Sequence, residues 1–274
     1  MNAPLPKLGI IAGGGIAPRR VIEACRRQGR DFFVICLLGQ ADEDVAHDAP
    51  HIWLPIGAGS KLRDLAQSEK IEEMVMIGHV RRPSLKELKP DWLAVKFLAK
   101  VGMHALGDDA LLRALGRAME EECGVRMIGA HEILGGILTK PGALGKHAPD
   151  VEAEQDIKRG VEIARALGQI DVGQSVVVQQ GLVLGVEAIE GTDALITRCC
   201  ELRREGPGGV LIKLAKPQQD DRYDLPTIGT ETIRVAAAAG LRGIAIEAGR
   251  SLLIDRDQVR QLADEMGLFV MGIS

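Results

Sequence analysis

The residues that most restrict the fold lie near the start of the chain. Leu8-Gly9-Ile10-Ile11-Ala12 is a short apolar run that meets Gly13-Gly14-Gly15 and then a helical pattern opened by Ile16-Ala17-Pro18. An apolar run of this length suits a strand buried on both faces. Pro18 fits the first turn of a helix, where its missing N–H costs nothing. Strand, glycine turn and helix present backbone N–H groups at a helix N-terminus, a geometry that cradles phosphate. A plain tight turn accounts for the same residues without a ligand.

The loop is not a clear nicotinamide fingerprint. Gly13 and Gly15 match its first two glycines, but Pro18 stands where the third belongs. The second strand, expected over residues 32–36, is followed by Leu37-Leu38-Gly39 rather than by an acidic ribose reader. No Gly-Lys-Ser/Thr follows the glycines, which excludes a P-loop. Further strands are expected at 51–55, 73–77 and 125–128. In such a sheet, ligands gather beyond the carboxyl ends of the strands. That places His79 and Arg81 near the glycine loop; a loop histidine bonded to backbone is the equal alternative for His79. Residues 91–106 read as a helix with Trp92, Phe97, Lys96 and Lys100, either a basic surface for anionic lipid or an ordinary surface helix. Asp108 and Asp109 open the next helix, as helix-end charges or as substrate contacts.

The whole chain reads as α/β with two domains. A Rossmann-like open sheet is expected over 1–133, as a nucleotide-sugar-binding domain whose glycine loop suits a nucleotide phosphate or sugar, and a Gly/Pro-rich linker over 134–149. An α/β domain over 150–274 carries an acidic loop. At 274 residues the chain has room for two cores. Its formal net charge of −4 and aromatic content of 3% argue against a nucleic-acid partner. The five cysteines form no C-x-x-C pair, as expected of reduced thiols in the cytoplasm. A homodimer is the base-rate assembly.

In the second half, residues 175–178 and 182–186 read as a hairpin. Glu190, Thr192 and Asp193 form a polar cluster after its second strand, at a helix start that Thr192 or Asp193 would cap. An apolar strand at 210–212 then delivers Lys213, Lys216, Gln219, Asp220, Asp221, Arg222 and Asp224, set between prolines 217 and 226. Carboxylates of this density can hold Mg²⁺ together with substrate phosphates; Asp220, Asp221, Asp224, Asp193 and Glu190 are all candidates, with Asp220, Asp224 and Asp193 the expected ligands. Lys213, Lys216 and Arg222 can take charge that develops on a phosphoryl group, and a poised carboxylate can activate water. The residues alone point to hydrolysis or transfer at a phosphate ester or anhydride. A solvated, salt-bridged loop is the bland alternative.

Four motifs occur in order: Ala12-Gly13-Gly14-Gly15; Gly107-Asp108-Asp109-Ala110-Leu111-Leu112; Glu187-Ala188-Ile189-Glu190-Gly191-Thr192-Asp193; and Lys216-Pro217-Gln218-Gln219-Asp220-x-Arg222-x-Asp224-Leu225-Pro226-x-Ile228-Gly229. Together they resemble the UDP-2,3-diacylglucosamine pyrophosphatases of the LpxI type. The resemblance implies a Mg²⁺-dependent hydrolase of lipid A synthesis in a Gram-negative bacterium. Such an enzyme is cytoplasmic, sits peripherally on the inner membrane, and releases UMP and 2,3-diacylglucosamine 1-phosphate. It also implies that the critical aspartate maps to Asp224, with Asp220, Asp221, Arg222 and Lys213 as catalytic companions. Substrate contacts are expected from Gly13, Gly14, Gly15, His79, Arg81, Asp108, Asp109, Glu190, Thr192, Asp193, Lys216 and Gln219. An NAD(P)-dependent oxidoreductase and a non-catalytic nucleotide or lipid carrier remain the competing readings of the residues.

Overall fold

The computed structural model describes residues 4–81, 88–101 and 107–274. They fall into two compact units. Unit 1 holds the chain up to Gly135 together with Asp220–Asp224; unit 2 holds Gly136–Gln219 and Leu225–Ser274.

Unit 1 is built on a parallel five-stranded sheet: β1 (Leu8–Ala12), β2 (Phe32–Leu37), β3 (His51–Leu54), β4 (Glu73–Ile77) and β5 (Arg126–Met127). The spatial order is β3-β2-β1-β4-β5, so the sheet reverses direction of growth between β1 and β4. All five residues of β1 are buried, as its unbroken apolar run requires. Helix α1 (Ala17–Gln28) buries Pro18, Val21, Ile22 and Cys25, one helical stripe. It ends at Gly29, whose φ of 62° closes the helix in the left-handed region. The remaining helices are α2 (Gly59–Ser68), α3 (Trp92–Val101), α4 (Asp108–Cys123) and α5 (Ala130–Leu134). The expected helix over 91–106 is seen as α3; residues 102–106 and the Lys100 side chain lie outside the described residues. One core cluster joins Ile11, Ile35, Leu54, Met74, Met119 and Met127 with Tyr223, a residue from far along the chain.

Unit 2 has a mixed six-stranded sheet in the order β6-β13-β11-β9-β7-β8. Its strands are β6 (Gly142–Ala143), β7 (Ser175–Gln179), β8 (Leu182–Val186), β9 (Val210–Lys213), β11 (Gly243–Glu247) and β13 (Phe269–Ile273). Strands β9, β11 and β13 are parallel, while β6 and β7 run antiparallel to their neighbours β13 and β9. A separate parallel pair joins β10 (Thr227–Ile228) to β12 (Leu252–Leu253). The helices are α6 (Val151–Gln169), α7 (Thr192–Cys199), α8 (Thr230–Ala238) and α9 (Arg256–Glu265). The alternation of side chains along β7 and β9 feeds two cores. Val177 and Leu211 join Ile196, Ile233 and Val259, whereas Val176, Val178, Val210 and Ile212 join Ala153, Ile157 and Ala164. The β7–β8 hairpin forms as expected. Gln180 (φ 53°) and Gly181 (φ 74°) make its two-residue turn, with both N–H groups bonded to the buried Asp156 carboxylate.

Two expectations about the domains need correction. Residues 136–149 are not a free linker: Gly142–Ala143 pairs with β13, and Leu253 donates its N–H to the Ile137 carbonyl. Glycine and proline there serve strand entry rather than flexibility. The acidic loop, expected within the C-terminal domain, groups by its contacts with unit 1. Asp220–Asp224 enters unit 1, because Tyr223 finds its apolar environment in that core.

Candidate functional site

Tyr223 anchors the acidic segment. Its ring is 5% exposed and lies against Gly116 of α4, where an added Cβ would sit 2.2 Å from Cε1. A glycine is therefore needed at this point of the helix for the ring to approach. The neighbouring Arg222 is held on several sides. Its Nε and Nη2 donate to the two Asp220 carboxylate oxygens at 3.0 and 2.9 Å, and its Nη1 donates to Glu120 Oε1 at 3.1 Å. Glu120 Oε1 also accepts the Met127 N–H at 3.2 Å. The guanidinium stacks 4.9 Å from the Tyr223 ring centroid. The Arg222 fork holds the Asp220 carboxyl below the usual carboxylate range, and Asp220 in turn raises the pKa of Arg222. Burial pushes the Tyr223 phenol up. Asp221 and Asp224, which flank this anchor, are exposed.

A second cluster lies at the end of β9 in unit 2. Lys213 is 8% exposed. Its Nζ donates to Thr192 Oγ1 at 2.9 Å and to the Thr227 carbonyl at 3.2 Å. Thr192 passes the chain on, donating to Glu187 Oε1 at 2.8 Å, with Ser175 Oγ 3.3 Å away. Glu187 is itself buried and accepts the Gln174 N–H at 3.3 Å. Among the described residues the ammonium thus has two neutral acceptors and reaches a carboxylate only through Thr192. Three donors on Nζ leave one for a ligand.

Other expected contacts are committed elsewhere in the structure. Lys216 pairs with Asp171, both largely buried. Gln219 closes a turn: its Oε1 accepts the Lys216 N–H at 2.9 Å and its own N–H returns to the Lys216 carbonyl at 3.0 Å. Glu190 is bound by Arg198 at 2.9 Å and accepts the Ala188 N–H at 3.0 Å. Burial opposes its ionisation, but these donors outweigh it and hold its carboxyl low. Asp193 is exposed in the first turn of α7, where it complements the helix dipole. Asp109 is buried and lies 3.1 Å from Arg113 one helical turn on. The Asp108 side chain lies outside the described residues.

The glycine loop differs from the phosphate cradle expected of it. Gly13 N–H donates to the Ile77 carbonyl, and Gly14 exchanges hydrogen bonds with His79, all at 2.9 Å. A Cβ at Gly13 would meet the His79 carbonyl at 2.5 Å, so glycine serves backbone contact here. Gly15, at φ 88°, donates its N–H to Asp42 Oδ2 at 3.0 Å. His79 is exposed, and its neighbourhood includes Arg81, whose N–H donates to Gln40 Oε1 at 2.8 Å. The three glycine N–H groups are therefore spoken for within unit 1.

Among the described residues, no group of three or more His, Cys, Asp or Glu is placed to hold a metal ion. Both Asp220 oxygens accept from Arg222. Mg²⁺ needs only one or two carboxylates when phosphates and water complete its shell. Asp221 and Asp224 are exposed carboxylates of that kind.

Several contributing residues escaped the sequence reading. Glu187, Glu120, Arg113 and Asp171 are ordinary acids and bases until the fold pairs them. Asp42 stands five residues beyond β2 and carries no local signal of its position. A turn in which Gln40 and Ala41 donate to the Leu37 carbonyl brings it back to the glycines.

Comparison with known proteins covers nearly the whole chain. The LpxI N-terminal domain family matches residues 7–137, and the LpxI C-terminal domain family matches residues 140–271. A curated protein of Caulobacter vibrioides, UDP-2,3-diacylglucosamine pyrophosphatase LpxI, is 43% identical over 97% of each chain. Among solved structures, a UDP-glucose-4-epimerase of Stenotrophomonas maltophila with bound NAD matches 44% of this chain and 35% of its own, at 15% identity and a TM-score of 0.31. The Bordetella bronchiseptica enzyme WbmG in complex with NAD matches the same shares at 18% identity and a TM-score of 0.30. At such scores these two likenesses bear no functional argument. The two family matches and the full-length relative have one meaning: this chain belongs to the LpxI family.

Proposed function

We propose that this protein hydrolyses the pyrophosphate bond of UDP-2,3-diacylglucosamine, releasing UMP and 2,3-diacylglucosamine 1-phosphate for lipid A synthesis. The observation that carries the reading is the 43% identity, over 97% of both chains, to the Caulobacter enzyme of that name. The side-chain chemistry agrees with it. Asp224 is an exposed carboxylate next to a buried anchor, suited to orient a water and accept its proton. Lys213 keeps one ammonium donor for a phosphate oxygen. Arg222 is pinned by Asp220 and Glu120 before substrate arrives, so little reorganisation is needed. Asp224, with Asp221 near it in sequence, would hold Mg²⁺, which supplies positive charge to the phosphate oxygens when bound.

Product analysis with and without Mg²⁺ tests this reading. UMP and the lipid 1-phosphate should appear with Mg²⁺ and disappear with EDTA. Asp224→Ala should lower kcat by about 10²–10⁴-fold. Substrate left intact by the wild-type protein would remove the hydrolase; undiminished turnover in EDTA would remove the metal.

Peripheral contact with the inner membrane is part of the same proposal. No helix among the described residues is long and apolar enough to cross a membrane. Trp92 and Val95 of α3 are nevertheless 60% and 51% exposed, on one helical face with Lys96. Arg63 lies 5.7 Å over the Trp92 ring, and Lys96 pairs with Glu122 at 2.9 Å. Such a face suits the boundary of an anionic bilayer, where apolar groups enter and cations remain at the headgroups. Trp92→Ala should weaken sedimentation with phosphatidylglycerol vesicles. Equal sedimentation of both proteins would end this part of the proposal.

A further inference from the structure

We propose that Asp42 reads the ribose hydroxyls of the uridine nucleotide, and that the glycine loop serves as a sugar site rather than a phosphate site. The inference rests on the uridine nucleotide named under the proposed function and adds a binding residue to it. Three observations lead there. First, the N–H groups of Gly13, Gly14 and Gly15 already donate to Ile77, His79 and Asp42, so these three glycines offer no bare amide to phosphate oxygens. Second, the group that closes the loop is an anion. Two unit charges 4 Å apart repel by about 1 kcal/mol even in water, so a phosphate at Gly15 would meet the Asp42 carboxylate unfavourably. Third, that carboxylate is positioned but not consumed. Its Oδ2 takes the Gly15 N–H at 3.0 Å, it is exposed, and among the described residues it makes no other side-chain hydrogen bond. An ionised carboxylate has about four acceptor sites.

The location adds to the argument. Asp42 lies past the carboxyl end of β2, against the turn that follows β1. In doubly wound sheets a carboxylate at this place accepts the hydroxyls of a nucleoside ribose. Here the acid arrives five residues late in sequence and is returned by the turn at Leu37–Ala41. A Cβ at Gly14 would lie 2.9 Å from the Gln40 carbonyl and 3.8 Å from Asp42 Oδ1, so that turn packs directly on the glycines. Ile16, Leu38 and Val80, at the ends of the same three central strands, are all exposed apolar residues. They offer the flat, uncharged faces of a nucleoside a surface that phosphate would not use. Diol recognition by a charged acceptor explains why an exposed acid is folded onto a glycine turn.

Isothermal titration with UMP, 2′-deoxy-UMP and 2′,3′-dideoxy-UMP tests the assignment on the intact protein. Wild type should bind UMP about 10- to 100-fold more tightly than the dideoxy compound, the range for a hydrogen bond to a charged group. Asp42→Ala should bind all three equally, at the weak level. Asp42→Asn retains an acceptor for Gly15 and should give intermediate discrimination, which separates ribose reading from loop collapse. Equal binding of UMP and dideoxy-UMP by wild type, undiminished discrimination by Asp42→Ala, or no UMP binding overturns the proposal. Hydrolysis of UDP-diacylglucosamine is measured on the same preparations. Turnover without ribose discrimination removes only the Asp42 assignment; ribose discrimination without turnover upholds it and removes only the hydrolase.

Discussion

Substituting Gly116 with alanine tests the anchoring of the acidic segment through a contact no sequence pattern reveals. The new Cβ would lie 2.2, 2.4 and 2.8 Å from Cε1, Cζ and Cδ1 of Tyr223. Ordinary carbon contacts begin at roughly 3.5 Å, so the ring must retreat by about 1.3 Å. It is 5% exposed and packed in the unit 1 core, so its retreat meets other side chains. Overpacking of this kind costs about 1–3 kcal/mol, while replacing glycine inside a helix returns about 1 kcal/mol. The expected net loss is about 0–2 kcal/mol, a Tm lower by no more than several degrees. Activity should respond far more. Arg222 and Asp224 flank the ring, and a misplacement of about 1 Å at a reacting centre can cost about 100-fold in rate. Initial rates of UDP-diacylglucosamine hydrolysis and a denaturant melt on the same variant separate the two effects. A Gly116→Ala protein that is about 1 kcal/mol more stable and fully active would refute the contact and the anchoring argument with it.

The remaining predictions concern the same two clusters. Tyr223 Oη is buried without a hydrogen-bond partner among the described residues, so Tyr223→Phe should be neutral or stabilising by about 1 kcal/mol in urea melts; a loss above that would reveal a missing partner. The Asp220 carboxyl is held low by Arg222, so its contribution to stability is present above the unfolded value, near pH 4, and is lost as pH falls through the depressed folded value. The stability gap between wild type and Asp220→Asn should therefore exist at pH 7 and shrink as pH falls below the unfolded value; a gap that does not change with pH contradicts the pairing. Lys213→Met keeps the stem and removes the ammonium, and should lower kcat/KM at least about 100-fold, as measured by steady-state kinetics; near-normal kcat/KM would leave Lys213 a structural residue.

Much of the architecture was legible from local pattern. The apolar run at Leu8–Ala12, the glycine turn with Pro18, and the Gln180-Gly181 hairpin each state their conformation within a few residues. The site was legible only as a set of motifs. Lys216, Gln219 and Glu190 looked like ligand contacts, yet the fold engages them with Asp171, the Lys216 backbone and Arg198. A charged residue in a motif does not announce whether its partner is substrate or protein, since that partner lies far away in sequence. The Asp220–Arg222 fork is local, but Glu120, which completes it, is 102 positions distant.

The amino-acid order alone determined the element types, the α/β class with two cores, and membership of a family whose motifs run the length of the chain. Those properties follow from short-range rules of backbone geometry and apolar periodicity. Only the tertiary structure decided that Asp220–Asp224 leaves its own half for unit 1, that the glycine N–H groups are already taken, and that Asp42 closes their loop. Each of those outcomes depends on a partner tens of residues away: an apolar core for a phenol ring, the carbonyls of Ile77 and His79 for two glycine N–H groups, and the Asp42 carboxylate for the third. Long-range satisfaction of buried area and hydrogen bonds leaves no periodic trace in sequence.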